Sequence, residues 1–266
     1  MSEIHNFVSR TSRFMAGIRA IETARPDRLF ADPFAAELAG AEVLALLEPW
    51  KKEYLEKNHS IVTVRTRFFD DFLRSSISQS RQVVLLGSGL DTRAFRLPWP
   101  SETHFYEIDR PEVLALKDSI LQKTPAQCQR HEIAADLSQS WSHLLLDGGY
   151  QVNRPSVWIL EGLLYYLNQA EAKQLLKTIS DLSTTGSCLG ADLVNVKMLQ
   201  KPTELVKHWR FGCDEPEKLF AAFGWKASVV QPGEKGADFG RYRCQPPRDV
   251  PGVSRNFFVT ARKESH

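Results

Sequence analysis

Gln82-Val83-Val84-Leu85-Leu86-Gly87-Ser88-Gly89-Leu90-Asp91-Thr92-Arg93 is the stretch on which the reading of this fold turns. A run of apolar residues leads into two glycines one apart, which predicts a buried parallel strand ending in a tight turn that opens a helix. Gly87 and Gly89 carry no Cβ, so the turn can take positive φ and the backbone can lie close to a bound molecule. A dinucleotide fingerprint would place a third glycine at position 92, where Thr92 stands, leaving less room for a pyrophosphate at the helix start. The ligand expected from this turn is a nucleoside without phosphates.

About twenty residues further, Thr103-His104-Phe105-Tyr106-Glu107-Ile108-Asp109 reads as a second strand with an acidic tip. A carboxylate there is placed to accept hydrogen bonds from the two hydroxyls of a ribose. The plainer reading is that Asp109 caps the helix beginning at Pro111-Glu112. His131–Leu137, Ser156–Gly162 and Ser187–Leu193 are expected as the third, fourth and fifth strands, with a helix from Gln169 to about Leu182 before the fifth. Acids recur at or near these strand ends, the edge at which open parallel sheets bind ligands. Trp225–Val230 and Ser254–Ala261 are expected to close the sheet as an antiparallel pair, and the Gly-, Pro- and Arg-rich Gln231–Pro251 to form a long exposed loop.

Residues 1 to about 80 read as helical, broken by the proline-punctuated Thr23–Phe34, with helix resuming through Leu47. Ile61–Leu73 puts Ile61, Val64, Phe68 and Phe72 on one face. The division expected is an amino-terminal helical lid over 1–80 and an α/β core over 81–266, with a substrate-pocket insertion around 195–223. The 266 residues, 42% of them hydrophobic, suffice for one such α/β unit. A formal charge of only +2 gives no global field for nucleic acid or an anionic membrane. Cys128, Cys188, Cys213 and Cys244 show no metal-ligand spacing and read as reduced thiols of a cytoplasmic protein. Met1–Asn6 has no secretory pattern, and no run of eighteen apolar residues occurs.

Several motifs together resemble the leucine carboxyl methyltransferase family, in its bacterial small-molecule O-methyltransferase branch. They are Thr23-Ala24-Arg25 with Leu29–Pro33, Arg65-Thr66-Arg67 with Asp70-Asp71, Leu85–Arg93, Tyr106–Val113, Ala135-Asp136-Leu137, and Glu161-Gly162-Leu163-Leu164-Tyr165-Tyr166-Leu167. The resemblance implies an α/β class I methyltransferase fold, Rossmann-like, with a seven-stranded, mostly parallel sheet and helices on both faces. It further implies S-adenosylmethionine as methyl donor, S-adenosylhomocysteine as product, and a small-molecule acceptor, with secondary metabolism as a setting. By the same resemblance Gly87 and Gly89 contact the amino-acid end of the donor, Asp109 holds the ribose, and Asp136 with Leu137 reads the adenine. Arg65 matches the arginine that pairs with the donor carboxylate, with Arg67 as the alternative, and Glu161 stands near the ammonium and sulfonium.

A carboxylate acceptor needs no base, whereas a hydroxyl does, for which Tyr166 and His208 are the candidates. Arg210 or Arg241 could orient an acceptor carboxylate. Trp209 and Phe211 lie in the pocket insertion, with core packing as the plainer reading of both. The competing functions are an NAD-dependent oxidoreductase, against which Thr92 speaks, and a non-catalytic nucleoside-binding module, against which the full set of donor-site matches speaks.

Overall fold

A computed structural model describes residues 3–57, 60–243 and 246–264, with side chains described from residue 11 on and not over 53–57. Met1, Ser2 and Cys244 lie outside the described residues. Seven strands, β1 (Gln82–Leu86), β2 (His104–Asp109), β3 (Gln129–Ala134), β4 (Val157–Leu160), β5 (Cys188–Val194), β6 (Trp225–Val230) and β7 (Asn256–Lys263), form one sheet. Its order is β3-β2-β1-β4-β5-β7-β6. The first five strands run parallel, and β7 pairs antiparallel with both β5 and β6. The order reverses between β1 and β4, so the crevice of the doubly wound sheet opens beside the glycine turn.

Three helices precede the sheet: α1 (Glu3–Thr23), α2 (Ala35–Lys57) and α3 (Ile61–Ser76). Five more connect the strands: α4 (Arg93–Arg96), α5 (Pro111–Leu121), α6 (Ser142–Asp147), α7 (Gln169–Asp181) and α8 (Pro216–Ala221). The second helix runs ten residues past the expected Leu47, through Pro49, and bends at Gly40, where φ is 78°. On α3, Ser60 caps the first turn by accepting from the Thr63 amide. Asn168 and Glu171 form a reciprocal capping box at the start of α7.

Side chains alternate across β1 and build two cores. Val84 and Leu86 face one cluster with Trp158, Leu175 and Ile179, while Val83 and Leu85 face the other with Phe69, Leu73 and Phe105. The α3 helix is buried on more than the single stripe expected. Phe69 and Leu73 are fully covered, and Phe68 meets Phe258 at 5.1 Å between ring centroids. The α3 helix packs against the sheet at β5 and against α1, which in turn packs on α2.

The expected exposed loop over 231–251 is partly interior, which corrects the composition-based reading. Arg255 donates to the carbonyls of Pro246, Pro247 and Val250 and to Gln231 Oε1. Arg241 donates to the Asp27 carbonyl and lies 3.6 Å from Glu22 Oε2. The Arg255 guanidinium thus gathers carbonyls that a proline-rich segment cannot pair in a ladder, while Arg241 ties the segment to the amino-terminal region. Cys128, Cys188 and Cys213 are free thiols, each pushed up in pKa chiefly by burial. Among the described residues no helix is long and apolar enough to cross a membrane.

Candidate functional site

The carboxyl ends of β1, β2, β4 and β5 border a cavity of about 400 Å³. Its floor is the glycine turn. Gly87 and Gly89 have φ of 64° and 50°, conformations that disfavour side chains with a Cβ. The Gly87 amide donates to the Ile108 carbonyl at 2.9 Å, and the Gly89 amide to Asp109 Oδ2 at 2.6 Å. The other Asp109 oxygen accepts from the Arg110 amide at 2.7 Å. Arg110, not Asp109, stands at the cap of α5, so the capping reading of Asp109 gives way to one in which it pins the turn. Burial pushes the Asp109 carboxyl up, against the pull of those two amides.

Gly87, Gly89, Asp109, Asp136, Leu137, Glu161, Tyr166 and Arg65 all line the cavity. Arg67 does not. It turns to Asp71 one helical turn away (2.8 Å) and to the Leu29 carbonyl (2.9 Å), which separates the two arginines left open by the sequence. His208 is absent from the cavity wall as well, whereas Trp209 and Arg210 reach it. Phe211 is buried in the core beneath, as packing predicts. Arg241 is committed to Glu22 and Asp27, which removes it as an acceptor-binding group.

Arg65 is the hub of the inner wall. Its Nε donates to Glu161 Oε1 at 2.9 Å, and its Nη1 to Asp192 Oδ2 at 2.8 Å and to the Tyr165 hydroxyl at 3.2 Å. These contacts use three of its five N–H groups, and the two on Nη2 have no partner among the described residues. Burial opposes the Arg65 charge, yet Asp192, Tyr165 and Glu161 outweigh it and hold the guanidinium well above its ordinary pKa. Asp192 also accepts from the Gly162 amide at 2.6 Å, and burial drives its carboxyl up against both partners. Tyr165 and Tyr166 are likewise held protonated, first by burial. Tyr166 is therefore suited to orient a ligand by hydrogen bonding rather than to take a proton.

Behind Glu161 lies a group that the sequence reading passed over. Arg93, 1% exposed, donates to Asp70 (2.8 Å), to Asp91 (2.6 Å) and to the Thr66 carbonyl (3.3 Å). Its Nη1 also lies 2.8 Å from Glu161 Oε2, close enough for an ion pair but not aligned for a hydrogen bond. Arg96 makes a two-pronged contact with Asp70 at 2.6 and 2.8 Å. Burial would raise the Asp70 and Asp91 carboxyls, but these arginines overcome it and hold both low. The network joins α3, the glycine turn and the β4 tip into one rigid support.

Two buried oxygens of the cavity wall lack a hydrogen-bond partner among the described residues: Ser88 Oγ and Glu161 Oε2. Unused hydrogen-bonding capacity at buried atoms is costly in a finished interior and points to a ligand. The amino-terminal helix forms the outer wall through Thr11, Ser12, Met15 and Arg19. Arg19 ties it down by donating to the Leu90 carbonyl at 2.7 Å and to Asp32 at 2.8 Å.

Residues 13–180 match the family model described as leucine carboxyl methyltransferase. The chain is 43% identical over 275 residues to a protein of Parafrankia sp. (strain EAN1pec) that bears the provisional name of an S-adenosyl-L-methionine-dependent methyltransferase, covering 96% of this chain and 87% of that one. A protein of the same provisional name from Streptomyces coelicolor is 36% identical over 257 residues, 90% of each chain. The solved structure of a DUF574 family protein from Streptomyces avermitilis matches with a TM-score of 0.56 at 15% identity, over 95% of this chain and 97% of that one. A Thermobifida fusca structure, titled provisionally as a methyltransferase, gives 0.52 at 18% identity over 94% of each. At these identities the two structures speak for a shared fold alone.

Proposed function

The chain belongs to the leucine carboxyl methyltransferase family, and from that premise we propose that it moves a methyl group from S-adenosylmethionine to an oxygen of a small molecule. It has the class I methyltransferase fold and is an S-adenosylmethionine-dependent enzyme; the oxygen acceptor and its size are the proposal. The observation that carries the reading is the buried Ser88 Oγ, which has no hydrogen-bond partner among the described residues, beside a glycine turn pinned by Asp109 and the two unused Nη2 hydrogens of Arg65.

The residues present fit the donor. Asp109 would take the ribose hydroxyls, Asp136 and the Leu137 amide the adenine, and Glu161 the ammonium. Arg65 would offer its two free Nη2 hydrogens to the carboxylate while keeping its grip on Glu161 and Asp192. The donor supplies a methyl carbon already activated by a sulfonium. The protein's part is then alignment and the exclusion of water, since in-line displacement depends on how the reacting atoms are held.

In this reading α1 to α3, residues 1–80, serve as the lid, because Thr11, Ser12, Met15, Ile61 and Val62 stand over the turn. The pocket insertion contributes Leu205, Trp209 and Arg210. The oxidoreductase alternative fares worse. The helix after the turn is only four residues long, and Thr92, 1% exposed, fills the place of the third glycine.

Calorimetric titration with S-adenosylhomocysteine tests the donor site directly. Saturable binding that is lost in Asp109→Ala supports it, whereas no heat at millimolar product, or preferential binding of NAD, would overturn it. Mass spectrometry of acceptor mixtures incubated with a methyl-labelled donor then identifies the atom modified.

A further inference from the structure

The electrostatics and the aromatic lining of the cavity together narrow the acceptor. Four arginines and six carboxylates line it, so among the described residues the wall carries an excess of negative charge. Three of the four arginines are closely engaged with acids, and the fourth, Arg110, stands next to the ribose acid Asp109 and 3.8 Å from Glu112. Arg65 faces Glu161 and Asp192, Arg19 faces Asp32, and Arg210, the cation of the insertion side, lies 2.7 Å from Glu171. A second carboxylate arriving there meets Glu171 and Asp192 as like charges, with Arg210 already paired and the remaining hydrogens of Arg65 assigned to the donor carboxylate.

The cavity lining also includes Tyr165, Tyr166 and Trp209, which pack together, along with Met15, Ile61 and Leu205. The Tyr165 ring centroid lies 4.4 Å from that of Trp209 and 5.0 Å from that of Tyr166. Such a group offers flat apolar surface edged by hydroxyls.

We propose that the acceptor is an uncharged aromatic molecule bearing a ring hydroxyl, held against Tyr165, Tyr166 and Trp209, and that Asp192 receives the hydroxyl proton. This rests on the methyltransferase reading above. The bond formed joins the hydroxyl oxygen to the methyl carbon. The bond broken is that carbon's bond to sulfur, whose electron pair stays on sulfur. The proton released goes to the Asp192 carboxylate, which lines the cavity between Arg65 and the Gly162 amide.

The test uses two probes of one shape, 2-naphthol and 2-naphthoate, titrated by calorimetry into the full chain saturated with S-adenosylhomocysteine. The expected result is binding of naphthol and at least tenfold weaker binding of naphthoate. Glu171→Gln keeps the helix cap, since Gln also serves there, but releases Arg210. It should strengthen naphthoate at least fivefold and leave naphthol unchanged. In Asp192→Asn, naphthol affinity should stay within about twofold while methyl-ether formation falls at least a hundredfold, and raising the pH until naphthol ionises should restore the rate. Equal or tighter binding of naphthoate to the unaltered protein, or binding of neither probe, overturns the proposal, as does a variant whose rate does not recover at high pH. If S-adenosylhomocysteine itself fails to bind, the donor reading falls instead, and the two probes are compared on the unsaturated chain.

Discussion

Replacing Arg65 by methionine tests the inner wall most severely. The substitution keeps an unbranched apolar stem of similar length but removes the cation between two acids. Glu161 retains Arg93 at 2.8 Å, so it is not stranded. Asp192 is: it keeps only the Gly162 amide, with a side chain 8% exposed. Breaking a buried pair by removing one partner typically costs about 3–5 kcal/mol, and the lower end applies because one acid is orphaned rather than two. For a chain of 266 residues, an unfolding entropy of about 2.1 cal/mol/K per residue amounts to about 0.56 kcal/mol/K, so a 3 kcal/mol loss lowers Tm by about 5 °C. The sign of the pH dependence follows from the direction in which Asp192 is shifted. Burial raises its folded-state pKa, and loss of Arg65 raises it further, whereas the unfolded chain releases the proton near the ordinary value of about 3.9. The defect is therefore absent below that value, grows as pH rises through the folded-state pKa, and is full above it. Differential scanning calorimetry of both proteins at about pH 5 and about pH 7.5 should show the gap narrowing in acid. A Tm within about 1 °C of the parent at the higher pH, or an equal gap at both, would refute the assignment of Arg65 as the cation that sustains Asp192.

Further expectations follow from the same geometry. Asp70→Asn leaves Arg96 without its acid while Arg93 keeps Asp91 and Glu161, and should cost about 3 kcal/mol at neutral pH. Because Asp70 is held low, its contribution is present above the ordinary carboxylate value and lost as pH falls through the depressed one, so the variant's Tm should depend less on pH in acid. Asp109→Ala should weaken S-adenosylhomocysteine binding by about 1.5–3 kcal/mol, read by calorimetry, with the secondary structure unchanged by circular dichroism. Gly89→Ala meets only ordinary van der Waals contact, Ser12 Cβ at 3.7 Å and the Gly87 carbonyl oxygen at 3.9 Å, so its cost is the left-handed backbone alone, about 1–2 kcal/mol. A thermal scan showing a loss well beyond that would mean a steric clash instead. Arg19→Met should loosen the outer wall and raise the acceptor KM more than it lowers Tm, as stopped-time assays and scans on the same samples would show.

What could be read in advance was what sits close together in the chain. The glycine turn, the acid one strand later and the acid tipping the fourth strand each announce themselves through a local pattern of apolar run, turn residue and charge. The strands and the antiparallel closing pair were legible in that way, whereas their order in the sheet was not. The support behind the site did not show. Asp70 lies on a helix where a partner three or four residues away is the natural guess, and Arg67–Asp71 obeys it, but Asp70 itself pairs with Arg93 and Arg96, 23 and 26 positions distant. Nothing in the local spacing signals a partner across a strand and a turn. The same limit hid Arg19, whose contact with the Leu90 carbonyl spans 71 positions. The 231–251 segment misled for another reason. Its Gly and Pro content rules out regular structure, but that says nothing about burial once Arg255 supplies the missing donors.

The tie from Arg241 to Glu22 and Asp27 reaches across most of the chain, Arg241 lying 214 positions after Asp27. Glu22 is 1% exposed, and burial drives it towards the protonated form against the pull of that cation. The helix that walls the cavity is thus clasped by a segment beyond the sixth strand. A change made at that distant clasp bears on the cavity wall without altering any donor-contacting residue named above.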